Sequence, residues 1–137
     1  MLQSKLTQMA TLKATMSDLF SVPSDDAKRQ LKNTIHTIYD SLCKNDLTEG
    51  HTFLVGNQFT VADAYLYIAL RWEEFHGVKA AAFPALSAFF DRVAVLDAVK
   101  AAHAIFDRVL EDNPEHIAET EVQRQQIMAE MQRVQRL

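Results

Sequence analysis

Residues 53–67 read Phe53-Leu54-Val55-Gly56-Asn57-Gln58-Phe59-Thr60-Val61-Ala62-Asp63-Ala64-Tyr65-Leu66-Tyr67. This is a glycine-punctuated loop running straight into a very apolar helix. Thr60 is a natural N-cap, its hydroxyl placed to accept from the backbone N–H of Asp63. The Asp63 carboxylate is placed to accept from the Thr60 N–H in return, giving a capping box with Asp in place of the commoner Glu. Phe59 stands where a hydrophobic staple begins, but its partner four residues into the helix is only Ala64, so that contact should be thin. The helix itself carries Val61, Ala62, Ala64, Tyr65, Leu66, Ile68, Ala69, Leu70 and Trp72. A helix apolar on nearly every side is predicted to lie in the middle of a bundle. Its start is then interior as well, where unpaired N–H groups are costly and a demanding cap makes sense.

Working outward, the periodicity predicts an all-α chain. Leu2, Leu6, Met9, Leu12, Met16 and Leu19 recur at three- and four-residue steps over about residues 2–20. A second helix is predicted over about 25–45, capped by Ser24 with Asp25 and Asp26 in its first turn and a stripe of Leu31, Ile35, Ile38 and Leu42. The apolar third helix should span Val61 to Phe75 and stop near Gly77. Pro84 opens a fourth helix carrying Leu86, Phe89, Phe90 and Val93. A fifth, from near Asp97, is expected to bury Val99, Ala102, Ile105, Phe106, Val109 and Leu110. Asn113-Pro114-Glu115 restarts a helix that can run to Leu137, acidic early (Glu115, Glu119, Glu121) and basic late (Arg124, Arg133, Arg136). Its one short seam (Ile127, Met131, Val134) suits a solvated or frayed tail, or alternatively a helix docking on a partner or pairing with its own copy. The expected division is a helical domain over 1–110 and a helical extension over 111–137.

Composition is that of a single domain: 48% hydrophobic residues with 3 Gly and 3 Pro among 137 residues. A net charge of −4 offers no basic stripe for nucleic acid. No apolar run reaches the roughly 18 residues of a membrane span, and Met1-Leu2-Gln3-Ser4-Lys5 opens into helix without a leader. One cysteine, Cys43, excludes an internal disulfide, and a cytoplasmic location is the expectation. His36, Tyr39 and Cys43 fall on one face of the second helix, but two possible ligands on one helix do not make a metal or thiolate site. His51, His76, His103 and His116 show no ligand spacing. No metal site is expected.

The loop-and-helix run 53–67, together with Leu70-Arg71-Trp72, Phe83-Pro84-Ala85-Leu86, Phe90-Asp91-Arg92-Val93 and Ala98-Val99-Lys100-Ala101-Ala102, resembles the helical C-terminal half of glutathione transferases. The Ala-Asp-Ala-Tyr-Leu and Leu-Arg-Trp pieces are most similar to bacterial, beta-type members, and the likeness covers about residues 1–103. The resemblance implies a bundle of five core helices plus the C-terminal extension helix. In that family glutathione is held, and its thiol activated, by a thioredoxin-like half of strands and helices, and no such run is legible here. Val22-Pro23-Ser24-Asp25 is superficially similar to the family's glutathione loop, yet reads better as a turn and helix start. The beta-type His-Lys pair on the first helix falls at Lys13 and Ala14 and is not kept. The resemblance makes Met9, Lys13, Met16, Arg71 and Trp72 possible substrate-pocket residues; the alternative is that Trp72 is core, Arg71 pairs with a carboxylate and the methionines simply pack. No catalytic residue and no cofactor are assigned, glutathione entering only if a thioredoxin-like half is supplied.

In the family the first and third helices bury one side against that other half. Here that side holds Leu2, Leu6, Met9, Tyr65 and Trp72, a larger apolar patch than monomers usually expose. Self-pairing, a protein partner, or the last helix folding back would cover it. The expected function is therefore a non-catalytic module for protein association or self-association. The alternatives are the helical half of a genuine glutathione transferase and a carrier of hydrophobic small molecules.

Overall fold

The computed structural model describes residues 2–21, 24–112, 125–126, 128–130 and 132–137. The restart at Asn113-Pro114-Glu115 and the seam residues Ile127 and Met131 lie outside them. Among the described residues up to Asp112 the elements are α1 (Leu2–Ser21), α2 (Asp25–Asn45), α3 (Val61–Arg71), α4 (Glu73–His76), a 3₁₀ turn at Ala80–Ala82, α5 (Pro84–Ala94) and α6 (Asp97–Glu111). No strand occurs among the described residues. The all-helical reading therefore stands.

Helix α1 packs on both α2 and α3, and α5 closes the bundle against α2 and α3. The core is built from the predicted stripes: Leu12, Met16 and Leu19 of α1, Ile35 and Leu42 of α2, Leu66 and Leu70 of α3, and Leu86, Phe89 and Val93 of α5 are all buried. Ser24 caps α2, its hydroxyl accepting from the Ala27 N–H at 3.3 Å. The capping box at α3 forms, with Asp63 carrying most of it. Asp63 Oδ2 accepts from the Thr60 N–H at 2.8 Å and the Thr60 hydroxyl at 3.1 Å, while Oδ1 accepts from the Leu54 N–H at 2.8 Å. This fully buried carboxylate thus ties the incoming loop to the helix start as well as capping it. Phe59 finds its neighbour in the loop rather than the helix, meeting Phe53 edge-on at 5.8 Å.

Three expectations need correction. The third helix breaks at Trp72, where the chain tightens and the Trp72 N–H reaches Ala69 O as well as Leu70 O; α4 then runs to His76. The cause is His76, which is fully buried. Its Nδ1 accepts from the Val78 N–H at 3.1 Å, leaving the proton on Nε2 to donate to Ala69 O at 3.1 Å. The imidazole thus takes up backbone groups that a continuous helix would have used itself. Gly77 follows in the left-handed region at φ 76°, where a Cβ would also crowd Lys32 Nζ at 3.1 Å and Gln135 Cγ at 3.2 Å.

Second, α6 does not bury its apolar face. Val99 is half-buried and Ala102, Ile105, Phe106 and Val109 are exposed, Phe106 at 61%; the Leu110 side chain lies outside the described residues. The helix leans on α5 by its first turns and is pinned to α3 through His103. Periodicity specified an apolar face, and among the described residues Ile105, Phe106 and Val109 on it stay exposed.

Third, the described part of the chain's end is docked on the bundle rather than free, although most of its side chains face solvent. Helical residues 128–130 and 132–135 lie across α2 and α4, with Val134 fully buried in the core. Lys28, itself buried, pairs with Glu130. Arg133 pairs with Asp25 and, at 2.9 Å, with Glu130. Lys32 Nζ donates to Val134 O at 3.2 Å and Gln135 Nε2 to Glu74 O at 2.7 Å. Hydrogen bonds from Arg133 and Lys28 hold the Glu130 carboxyl down at about 2.

Burial lowers the pKa of His76 from its ordinary value of 6.5. The unfolded chain therefore takes up a proton first as pH falls, so the contribution of neutral His76 is complete above about 6.5 and is lost below it. The midpoint of urea unfolding should be flat from pH 8 to 7 and decline below 6.5, and H76Q should flatten that decline. Glu130 acts in a separate window, between 4.5 and about 2, so the two are distinguishable. An unchanged slope between pH 7 and 5 in H76Q would remove His76 as the cause.

Candidate functional site

Helix α3 presents two stripes of opposite character. Ala62, Asp63, Leu66, Tyr67, Ala69 and Leu70 are buried, whereas Val61 (59%), Tyr65 (45%), Ile68 (47%) and Trp72 (41%) just beyond its last residue stand exposed. The exposed four recur at four, three and four residues, one line along the helix. A central position for α3 is thus correct for one side only.

Beside that line, α1 and α3 enclose an open groove of about 230 Å³ lined by Met9, Lys13, Met16, Tyr65, Ile68, Ala69 and Trp72. It continues into a second lobe past Leu6, Ala10, Lys13, Ala14, Ser17, Val61 and Tyr65. Lys13 and Tyr65 belong to both lobes and mark where they join. The structure thus brings Met9, Lys13, Met16 and Trp72 together and leaves Arg71 out. Adjacent residues on a helix point roughly 100° apart, so Arg71 and Trp72 face different ways. Arg71 Nη1 donates to His103 Nδ1 at 3.0 Å, and His103 Nε2 meets the Tyr67 hydroxyl at 3.0 Å. Tyr67 in turn stacks on Phe90 with ring centroids 5.0 Å apart. Arg71 therefore pins α6 to α3, taking an imidazole where a carboxylate was the alternative. Ile68 and Ala69 are groove residues that the sequence reading does not single out; the spacing 61, 65, 68, 72 was the signal for Ile68.

The other candidate face comes apart. Tyr39 is fully buried, 3.5 Å from His76 and edge-on to Phe83, and burial raises the pKa of its hydroxyl far above the usual phenol value. His36 is exposed, its ring edge-on to Phe83 at 4.8 Å. Cys43 is half-buried, and burial raises its thiol pKa, which keeps it protonated and unreactive at neutral pH. No group of three or more potential metal ligands occurs among the described residues. No described helix is long and apolar enough to cross a membrane.

The family model for the glutathione S-transferase C-terminal domain matches residues 9–97. The chain belongs to that family. A glutathione S-transferase, GST-4.5 of Xanthomonas campestris pv. campestris, is 37% identical over 78 residues, which cover 57% of this chain and 35% of that protein. A solved structure described as a ternary complex of BphK, a bacterial GST, superposes with a TM-score of 0.66 at 31% identity, over 74% of this chain and 50% of that one. This glutathione S-transferase C-terminal domain thus spans between about a third and a half of the length of the relatives it matches. The match ends at residue 97, so α6 beyond its start and the C-terminal segment lie outside it. The groove does not suit glutathione itself. Its helical walls spend their backbone N–H groups internally, and a polar tripeptide would meet apolar side chains and one lysine. Thiol chemistry is therefore not assigned to these residues.

Proposed function

We propose that this domain is a binding module whose working surface is the α1/α3 face, and that a second protein surface closes over it by association with a partner or a second copy. The observation that carries this reading is the exposed line Val61, Tyr65, Ile68, Trp72 on a helix whose other side is buried. Four large apolar side chains in a row beside an apolar groove form the kind of patch that marks an interaction site rather than ordinary scattered exposure. The described residues of the C-terminal segment that make contacts are engaged on α2 and α4.

Size-exclusion chromatography with light scattering tests this. The wild type should run above monomer mass in a concentration-dependent way, and the double variant Y65E/I68E should run as a monomer whose unfolding midpoint matches that of the wild type at dilutions where the wild type is monomeric. A wild type and a double variant with the same monomeric mass at every concentration would set self-association aside.

A second reading is the helical half of a working glutathione transferase, with the α1/α3 groove as one wall of its substrate pocket. It is favoured by the relatives' names and by the share of their length this chain spans. Supplying a thioredoxin-like half from a bacterial relative and assaying conjugation of glutathione to a chlorinated aromatic decides it. Activity that appears only with both halves supports this reading, and no activity above the added half alone sinks it.

A further inference from the structure

We infer that His76 and the C-terminal segment form an acid-sensitive latch, in which protonation of the buried imidazole unseats residues 132–135 from α2 and α4. The effect of His76 on stability described above concerns the whole fold, whereas the latch concerns one segment of it. Three contacts tie the two together. Gly77, next to His76, lies so close to the segment that a Cβ there would meet Gln135 Cγ at 3.2 Å. Gln135 Nε2 donates to Glu74 O at 2.7 Å, so the segment also grips α4 on the other side of the imidazole. Lys32 Nζ donates to Val134 O at 3.2 Å, and its charge is felt by the His76 ring. The segment therefore rests on the short stretch of chain whose path His76 sets.

The neutral ring accepts from the Val78 N–H through Nδ1 and donates to Ala69 O through Nε2. A proton taken from solvent lands on Nδ1 and turns that acceptor into a donor facing another donor. Gly77 and Val78 then have to withdraw, and the surface under Gln135 moves with them. The same proton places a cation near Lys32, whose ammonium holds Val134 O. The titratable and charged groups facing the ring are Tyr39 and Lys32 of α2, Glu73 of α4 and Lys79 just beyond it. Glu73 favours the charged ring and both lysines oppose it. Arg133 of the segment is turned away, toward Asp25 and Glu130. Burial holds the His76 pKa below its ordinary 6.5, and unseating the segment admits water. The unseated form thus binds the proton more tightly, so docking is at full strength above about 6.5 and weakens as pH falls below it.

The test uses the full chain and E130Q, which leaves the buried Lys28 ammonium without its counter-charge in the docked state and so disfavours docking. His76 is titrated in both by the NMR shifts of its carbon-bound ring protons. In E130Q it should bind a proton about fivefold more tightly, the low end of coupling between two sites. The direction is diagnostic, because a carboxylate acting only through space would, on removal, leave His76 binding the proton more weakly. Amide hydrogen exchange, corrected for its intrinsic pH dependence, gives the other side of the linkage. In the wild type, residues 133–135 should lose protection between about pH 7 and 5, ahead of Leu12 and Leu66 in the core, and in H76Q that early loss should disappear. Equal or weaker proton binding in E130Q overturns the latch. So does protection lost at 133–135 in step with Leu12 and Leu66, or an early loss that persists in H76Q; each leaves His76 as a determinant of global stability alone.

Discussion

Replacing Asp63 by alanine should lower folding stability by about 3–4 kcal/mol, whereas T60A should cost about 1 kcal/mol. The difference follows from what each side chain holds. Thr60 lies at a partly buried helix start, and losing its hydroxyl removes one cap. The Asp63 carboxylate accepts from two backbone N–H groups, those of Leu54 and Thr60, and from the Thr60 hydroxyl. Deleting it strands the buried Leu54 N–H and removes the acceptor of the two partly buried Thr60 donors, and stranded buried donors cost more than the hydrogen bonds are worth net. D63N should fall between the two, since an amide keeps one acceptor but turns a second donor toward donors. Urea unfolding with an unchanged m-value measures this directly. A D63A cost no larger than that of T60A would mean the loop and helix start are held by packing instead.

Three and five residues further along, at Leu66 and Ile68, the same helix should give opposite answers to one substitution. L66A is expected to cost about 2–5 kcal/mol, because Leu66 has no exposed surface and its removal leaves a cavity between α1 and α5 neighbours. I68A should change stability by no more than about 0.5 kcal/mol, since Ile68 is 47% exposed. The contrast separates the side of α3 that builds the bundle from the side that faces outward. The comparison is made at dilutions where the chain is monomeric, and comparable losses at both positions there would show that the Ile68 side also builds the bundle.

Much of the fold was legible because local and long-range signals agree there. Ser24 before two acids, Thr60 with Asp63, Gly77 and Pro84 each set a helix end that the chain obeys, and the stripes of α1, α2 and α5 match the observed core. The failures have physical causes. Periodicity records that a face is apolar, not whether anything in the same chain covers it, and α6 and the outer side of α3 both fell into that gap. His76 gave no sign of its role, since one imidazole breaking a helix by taking its backbone hydrogen bonds leaves no pattern. That Arg71 and Trp72 lie in different surroundings was legible too, since neighbours on a helix point roughly 100° apart. Lys28 and Glu130 lie 102 positions apart, beyond any local rule, and each alone reads as ordinary surface charge.

That last pairing also sets an order of events during synthesis. Lys28 leaves the ribosome 102 residues before Glu130 does, a wait of roughly 5–20 s at ordinary translation rates. Throughout that interval the nascent bundle must assemble with an uncompensated cation at the root of its second helix. The clasp formed by Glu130, Arg133 and Val134 therefore joins residues that are made early to residues made long after them.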